Sequence, residues 1–246
     1  MRITSMHKTT PAMEAGAPPD PQVLARMGPL MEELSKSGVL VAGEGLRPSS
    51  TGLRLTFFRG TRQLRSGPFG GPNGHLAGFT IIKAKSLNEA IQWASRLAEA
   101  LGDVEIDIRP VVEEWDLGFC PRPEGLETTR FMLTHTAEST VQDDSPPDPN
   151  RLLSLSTVTG EMAKADVLIM SQSFQSRSKG TRLNFEGGQC SVTDGPFAES
   201  KELIAGFATM ELPSMGEAIE WAARFAEVVG DVEVDIHPLC ESDNQG

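Results

Sequence analysis

Two residues of this chain are the leading candidates for proton transfer. Asp194 lies in Thr193-Asp194-Gly195-Pro196-Phe197, and His135 ends a run of alternating character. A carboxylate can act as a general base or orient a histidine, and imidazole titrates near neutrality. Asp-Gly-Pro is equally a good turn sequence, in which the aspartate only caps the chain. His135 has a counterpart in His7, and a buried ring with satisfied nitrogens explains such a pair as well as chemistry does. Arg54 and Arg182 also match. A guanidinium fork suits a carboxylate or phosphate ligand, although a solvated hairpin accommodates the same residues. Phe69 and Phe197, each following Gly-Pro, complete the candidate binding set with His7, Arg54 and Arg182.

All of these pairs share one offset of 128 residues, as Trp93 does with Trp221. Gly-Asp-Val-Glu-Ile-Asp-Ile at 102–108 returns as Gly-Asp-Val-Glu-Val-Asp-Ile at 230–236. The period is too long for a solenoid repeat and fits a whole domain. The chain reads as two copies, 1–112 and 129–241, joined by a 113–128 connector that contains Pro121, Pro123 and Gly125. The copies are not chemically equal. Residues 1–128 carry 14 Lys and Arg against 15 Asp and Glu, whereas 129–246 carry 8 against 19. Ser66 stands where the second copy has Asp194.

The motifs that are missing narrow the chemistry. There is no P-loop, nucleophile elbow or dinucleotide fingerprint. No tyrosine is present to serve as a phenolic acid. The histidines have no ligand spacing, and Cys120, Cys190 and Cys240 form no CxxC, so neither a metal site nor a disulfide framework is expected. Any enzyme here is expected to need no cofactor. A net charge of −12 opposes nonspecific nucleic-acid binding. No apolar run reaches bilayer length, and the first residues lack a signal peptide's apolar core, so a cytoplasmic protein with no membrane partner is expected.

Each copy gives the same order of elements. Residues 2–8 and 130–136 read as first strands, with helices at 22–36 and 150–165 after a Pro-rich loop. Short buried strands at 39–41 and 167–169 precede strands at 53–58 and 181–185. The strongest helix opens with the capping boxes Ser86-Leu87-Asn88-Glu89 and Ser214-Met215-Gly216-Glu217 and stops at Gly102 and Gly230. Strands at 78–84 and 206–211 precede it, and strands at 104–108 and 232–236 follow it. This order predicts an α+β fold of two ferredoxin-like domains. Each antiparallel sheet has two helices on one face, and the copies are expected to pack sheet to sheet as an internal pseudo-dimer.

The run Thr193-Asp194-Gly195-Pro196-Phe197-Ala198-Glu199-Ser200-Lys201-Glu202, followed by Gly206-Phe207, resembles the DGPF signature of the YCII-related family. Glu217-Ala218-Ile219-Glu220-Trp221-Ala222-Ala223-Arg224 and Val232-Glu233-Val234 extend the likeness, as does Gly43-Glu44-Gly45-Leu46-Arg47-Pro48-Ser49 in the first copy. The resemblance implies a dimeric α/β-barrel fold and no settled activity. Some members are linked to extracytoplasmic-function sigma factors, and relatives in the wider superfamily act on small organic molecules. Some YCII-type proteins carry a His-Asp dyad with the histidine on the first helix. Residues 22–36 and 150–165 contain no histidine, so that form of the dyad does not transfer.

Two functions follow as expectations. One is acid–base catalysis on a carbonyl or phenolic metabolite by Asp194 and His135, as an isomerase, lyase, cyclase or hydrolase. The other is a non-catalytic binding or regulatory module. Both take a small-molecule ligand, with anionic ligands suited to the arginines. Both allow the chain to act alone or as a homodimer.

Overall fold

The computed structural model describes residues 1–71, 74–137, 148–197 and 203–240. Pro72-Asn73, Pro146-Pro147 and the Ala198–Glu202 part of the signature lie outside the described residues. The strands are β1 (Arg2–Lys8), β2 (Leu40–Gly45), β3 (Leu53–Phe58), β4 (Thr61–Ser66), β5 (His75–Ala84), β6 (Val104–Pro110), β7 (Thr129–Ala137), β8 (Leu168–Ser173), β9 (Thr181–Glu186), β10 (Gln189–Asp194), β11 (Ile204–Glu211) and β12 (Val232–Pro238). The helices are α1 (Pro11–Glu14), α2 (Pro21–Lys36), α3 (Leu87–Leu101), α4 (Pro149–Lys164) and α5 (Met215–Val229). The short α1 is absent from the sequence reading.

The main helices start where local chemistry dictates. Asp20 and Asp148 cap α2 and α4 by accepting from the amides of Gln22 and Asn150, with proline in the first turn. Ser86 and Ser214 cap α3 and α5 by accepting from the amides of Glu89 and Glu217. Gly102 and Gly230 end those helices at φ 80° and 89°, a region that side chains disfavour.

Two antiparallel six-stranded sheets result, β10-β9-β12-β1-β11-β2 and β4-β3-β6-β7-β5-β8. Neither sheet belongs to a single copy. β1 pairs with β11 and β12 of the second copy, and β7 pairs with β5 and β6 of the first. The chain accordingly divides into two compact units. Among the described residues, unit 1 holds 1–45, 174–197 and 204–240, and unit 2 holds 46–71, 74–137, 148–173 and Leu203. The chain changes unit after Gly45 and again after Ser173, at equivalent points of the two copies. The copies of the sequence, 1–112 and 129–241, are therefore not coextensive with the compact units.

Each unit is a ferredoxin-like plait, with β12-β1-β11-β2 or β6-β7-β5-β8 at its centre and a hairpin added at one edge. Strand alternation sends Ile3, Leu183, Met210, Val234 and Ile236 into a core beneath α2 and α5. Leu55, Ile82, Ile106, Phe131 and Leu133 do the same beneath α3 and α4. Matched ion pairs tie the helices, Arg224 to Glu33 in unit 1 and Arg96 to Glu161 in unit 2. Among the described residues no helix is long and apolar enough to cross a membrane.

Candidate functional site

In unit 1 the residues alternating with the core set point away from the helices. They include Lys8 on β1, Arg182 on β9, and Glu233, Asp235 and His237 on β12. Asp235 stands opposite Arg182 in the register and His237 opposite Thr4. The Arg182 fork closes on Asp235, with Nε to Oδ1 at 2.6 Å and Nη2 to Oδ2 at 2.9 Å. Lys8 Nζ reaches the same carboxylate at 2.7 Å, and both of those side chains are only 4% exposed. The two cations hold the Asp235 carboxyl at about 2, against the opposing effect of burial. Burial, with Lys8 and Arg182 adding to it, lowers His237 to about 4 although Asp235 pulls the other way. His237 is therefore uncharged at neutral pH.

The Gly-Pro-Phe segment completes this cluster. A Cβ on Gly195 would lie 1.8 Å from the Arg177 carbonyl oxygen, so only glycine lets the strand end approach the short turn at Arg177–Lys179. Phe197 then lies over Arg182, with the guanidinium carbon 4.4 Å from the ring centre. His237 stacks on Phe174 at 4.6 Å, with Phe197 at 6.2 Å. Its Nε2 is buried and makes no hydrogen bond to any described residue.

Unit 2 repeats the frame with different fittings. Arg54 closes on Asp107 at 2.6 and 2.8 Å, and its remaining N–H groups reach the Gly71 and Gly70 carbonyls at 3.1 and 2.9 Å. Phe69 covers Arg54 at 4.6 Å. Gly67 is as constrained as Gly195, since its Cβ would sit 1.8 Å from the Ser49 carbonyl oxygen. Thr136 takes the place of Lys8 and accepts from the Glu105 amide at 3.2 Å. Arg109 takes the place of His237 and donates from Nε and Nη2 to the Arg47 carbonyl at 3.1 and 2.5 Å.

The structure divides the residues singled out from the sequence. Asp194 is exposed at the end of β10, opposite Thr181, whose hydroxyl lies 3.5 Å from its carboxylate. His135 is buried in unit 2, so the two members of the expected acid–base pair belong to different units. His7 shares unit 1 with Asp194 but faces the helices, its ring 4.9 Å from Phe225. Both rings need a glycine opposite them. A Cβ on Gly206 would meet His7 Cε1 at 2.6 Å, and one on Gly78 would meet His135 Nε2 at 2.9 Å. Burial lowers both histidines to about 4, helped by Lys8 for His7 and Arg151 for His135. His135 Nδ1 is buried without a hydrogen bond to any described residue. Arg54 and Arg182 do join Phe69 and Phe197, but their forks hold the protein's own carboxylates.

Sequence reasoning did not select Asp107, Asp235, Lys8 or His237 as site residues. The signal was available in Val-Glu-Val-Asp-Ile-His, whose alternate residues give a strand one polar face. Among the described residues no cluster of three or more His, Cys, Asp or Glu is arranged to hold a metal ion.

A ferredoxin-like plait with a Gly-Pro-Phe turn capping a buried arginine–aspartate pair defines the class of protein. The YCII-related domain model matches residues 1–114 and 130–237, and the chain belongs to that family as a tandem duplication. No curated protein matches the chain.

Proposed function

We propose that this is a cytoplasmic protein that handles a small organic molecule by cofactor-free acid–base chemistry, with unit 1 as the competent half. Carbonyl or phenolic metabolites are the substrates, through isomerisation, elimination, cyclisation or hydrolysis. The observation that supports the reading is the buried, unpartnered Nε2 of an uncharged His237 beside the Lys8–Asp235–Arg182 cluster. Leaving such a group unpaired costs about 1–3 kcal/mol, a cost that calls for a reason in a native fold. An uncharged imidazole can accept a proton from a bound ligand or donate a hydrogen bond to it. The ammonium and guanidinium beside it favour negative charge that develops on a ligand oxygen. In unit 2 the equivalent positions are closed by Arg109 and Thr136.

A thermal-shift screen of carbonyl and phenolic metabolites tests this reading on the whole protein and on His237→Asn. Hits that stabilise the parent and lose their effect in His237→Asn support it. Hits that survive the substitution place the ligand elsewhere and return the acid–base role to Asp194 or His135. A non-catalytic binding or regulatory module is the second reading. It is favoured by the self-paired arginine forks. Ligand binding without turnover would select it.

A further inference from the structure

We infer that the unit 1 cluster binds a neutral group carrying both a hydrogen-bond donor and an acceptor, of the amide, urea or enol type, rather than a preformed anion. The inference rests on the assignment of the ligand to the His237 cluster. Three groups carry it. Lys8 is buried, and Asp235 is its one polar partner among the described residues, which leaves two of its three N–H donors unused. Glu233 Oε1 is buried and accepts no hydrogen bond from any described residue. It lies 3.4 Å from Arg182 Nε, within ion-pair distance but outside hydrogen-bond geometry. His237 Nε2 is the third unpartnered atom. One step beyond the pairing of His7 with Val234, Lys8 and Glu233 are cross-strand neighbours on the same face.

Donors and acceptors are thus left over together. A carboxylate ligand supplies acceptors only. It would satisfy Lys8 and leave Glu233 Oε1 both unpaired and facing a like charge. A carbonyl with an adjacent N–H or O–H satisfies both sides. Charge agrees with this reading. Lys8 and Arg182 are balanced by Asp235 and Glu233, and His237 is uncharged, so the cluster holds no spare positive charge to repay the desolvation of an anion. Unit 2 offers no such set. Arg109, in the place of His237, takes the Arg47 carbonyl, and Thr136 occupies the position of Lys8.

Benzamide and benzoate have nearly the same shape and differ in charge and in the N–H donors, so they serve as probes. The isotope-labelled full chain is titrated with each while the His237 ring signals are followed, assigned by their loss in His237→Phe. Benzamide should move those signals and bind about tenfold more tightly than benzoate, as expected for one hydrogen bond to a charged group. Glu233→Gln, which removes the acceptor charge and leaves the cluster net positive, should narrow or reverse that preference. Lys8→Met should weaken benzamide about tenfold while thermal melting shows the protein folded. Benzoate binding as tightly as benzamide to the parent protein would overturn the ligand class and leave the His237 site standing. His237 signals that respond to neither probe would overturn both. An unchanged preference in Glu233→Gln would overturn the role given to Glu233.

Discussion

Units 1 and 2 place an arginine, an aspartate and a phenylalanine at equivalent positions, and they differ in what surrounds that stack. In unit 2 Thr136 stands in the place of Lys8, and Arg109 stands in the place of His237 and donates to the Arg47 carbonyl. In unit 1 a second cation, the buried Lys8, shares the aspartate, and the position of Arg109 holds a histidine with an unpartnered nitrogen. On this face unit 1 keeps two buried polar atoms without a hydrogen bond, Glu233 Oε1 and His237 Nε2.

The largest expected effect comes from removing the shared carboxylate. Asp235→Asn removes the carboxylate shared by the buried Lys8 and the half-buried Arg182, a loss of about 3–5 kcal/mol. Asp107→Asn leaves Arg54 with two carbonyls and the neighbouring Glu105, 3.3 Å away, and should cost about 1–3 kcal/mol. Urea denaturation of the two variants measures the difference. Equal losses would show that the second cation in unit 1 adds nothing and would erase the contrast.

Acid provides the next test. His7, His135 and His237 have folded values of about 4 against an ordinary 6.5, so the unfolded chain binds more protons between those limits. Stability should be full above pH 6.5 and should fall as pH drops toward 4. The Asp235 contribution is then lost separately, between 3.8 and about 2. Two of the three histidines are in unit 1, so hydrogen exchange near pH 5 should rise first in β1 and β12. His237→Phe removes one titrating ring and should make the decline shallower. An unchanged slope in that variant would mean that His237 is not held uncharged.

Much of this frame is legible in the sequence. The capping serines, the stop glycines and the 128-residue register depend on local chemistry or on direct comparison of the copies, and they predict the plait. The exchange of strands is not legible. Ile3 and Phe131 alternate with their neighbours in the same way, so β1 fits the edges of β5 and β6 as well as those of β11 and β12. Periodicity carries the face of a strand but not its partner. The same limit applies to the site. Arg54, Arg182, Phe69 and Phe197 stand out as matched residues, whereas the role of Asp235 depends on which strands flank it. His237 is matched by Arg109 and not by a histidine, so it does not stand out as a pair, yet that difference is what separates the two units.

Smaller effects serve as controls. Ser86→Ala and Ser214→Ala each remove one cap bond, of 3.2 and 3.3 Å, and should each cost about 0.5–2 kcal/mol. The caps are equivalent, so the two losses should agree. A marked difference in thermal melting would mean that the units differ in stability throughout and not only at the cluster.

The smallest expected change in stability is that of Asp194→Asn. The carboxylate is exposed, its one contact to a described side chain is the long one to Thr181, and unit 2 manages with Ser66 at the same strand end. Substitutions of this kind at a surface stay within about 0.5 kcal/mol. The variant is informative because its effect on chemistry is independent of its effect on folding. Asparagine keeps the shape and an acceptor oxygen but cannot take up a proton near neutral pH. If unit 1 works through His237, ligand turnover by Asp194→Asn should match the parent. If turnover is abolished while the melting temperature is unchanged, the proton-accepting group is Asp194. The contrast between the units would then lie at the strand end, between Asp194 and Ser66, and the buried cluster would be the scaffold that both units share.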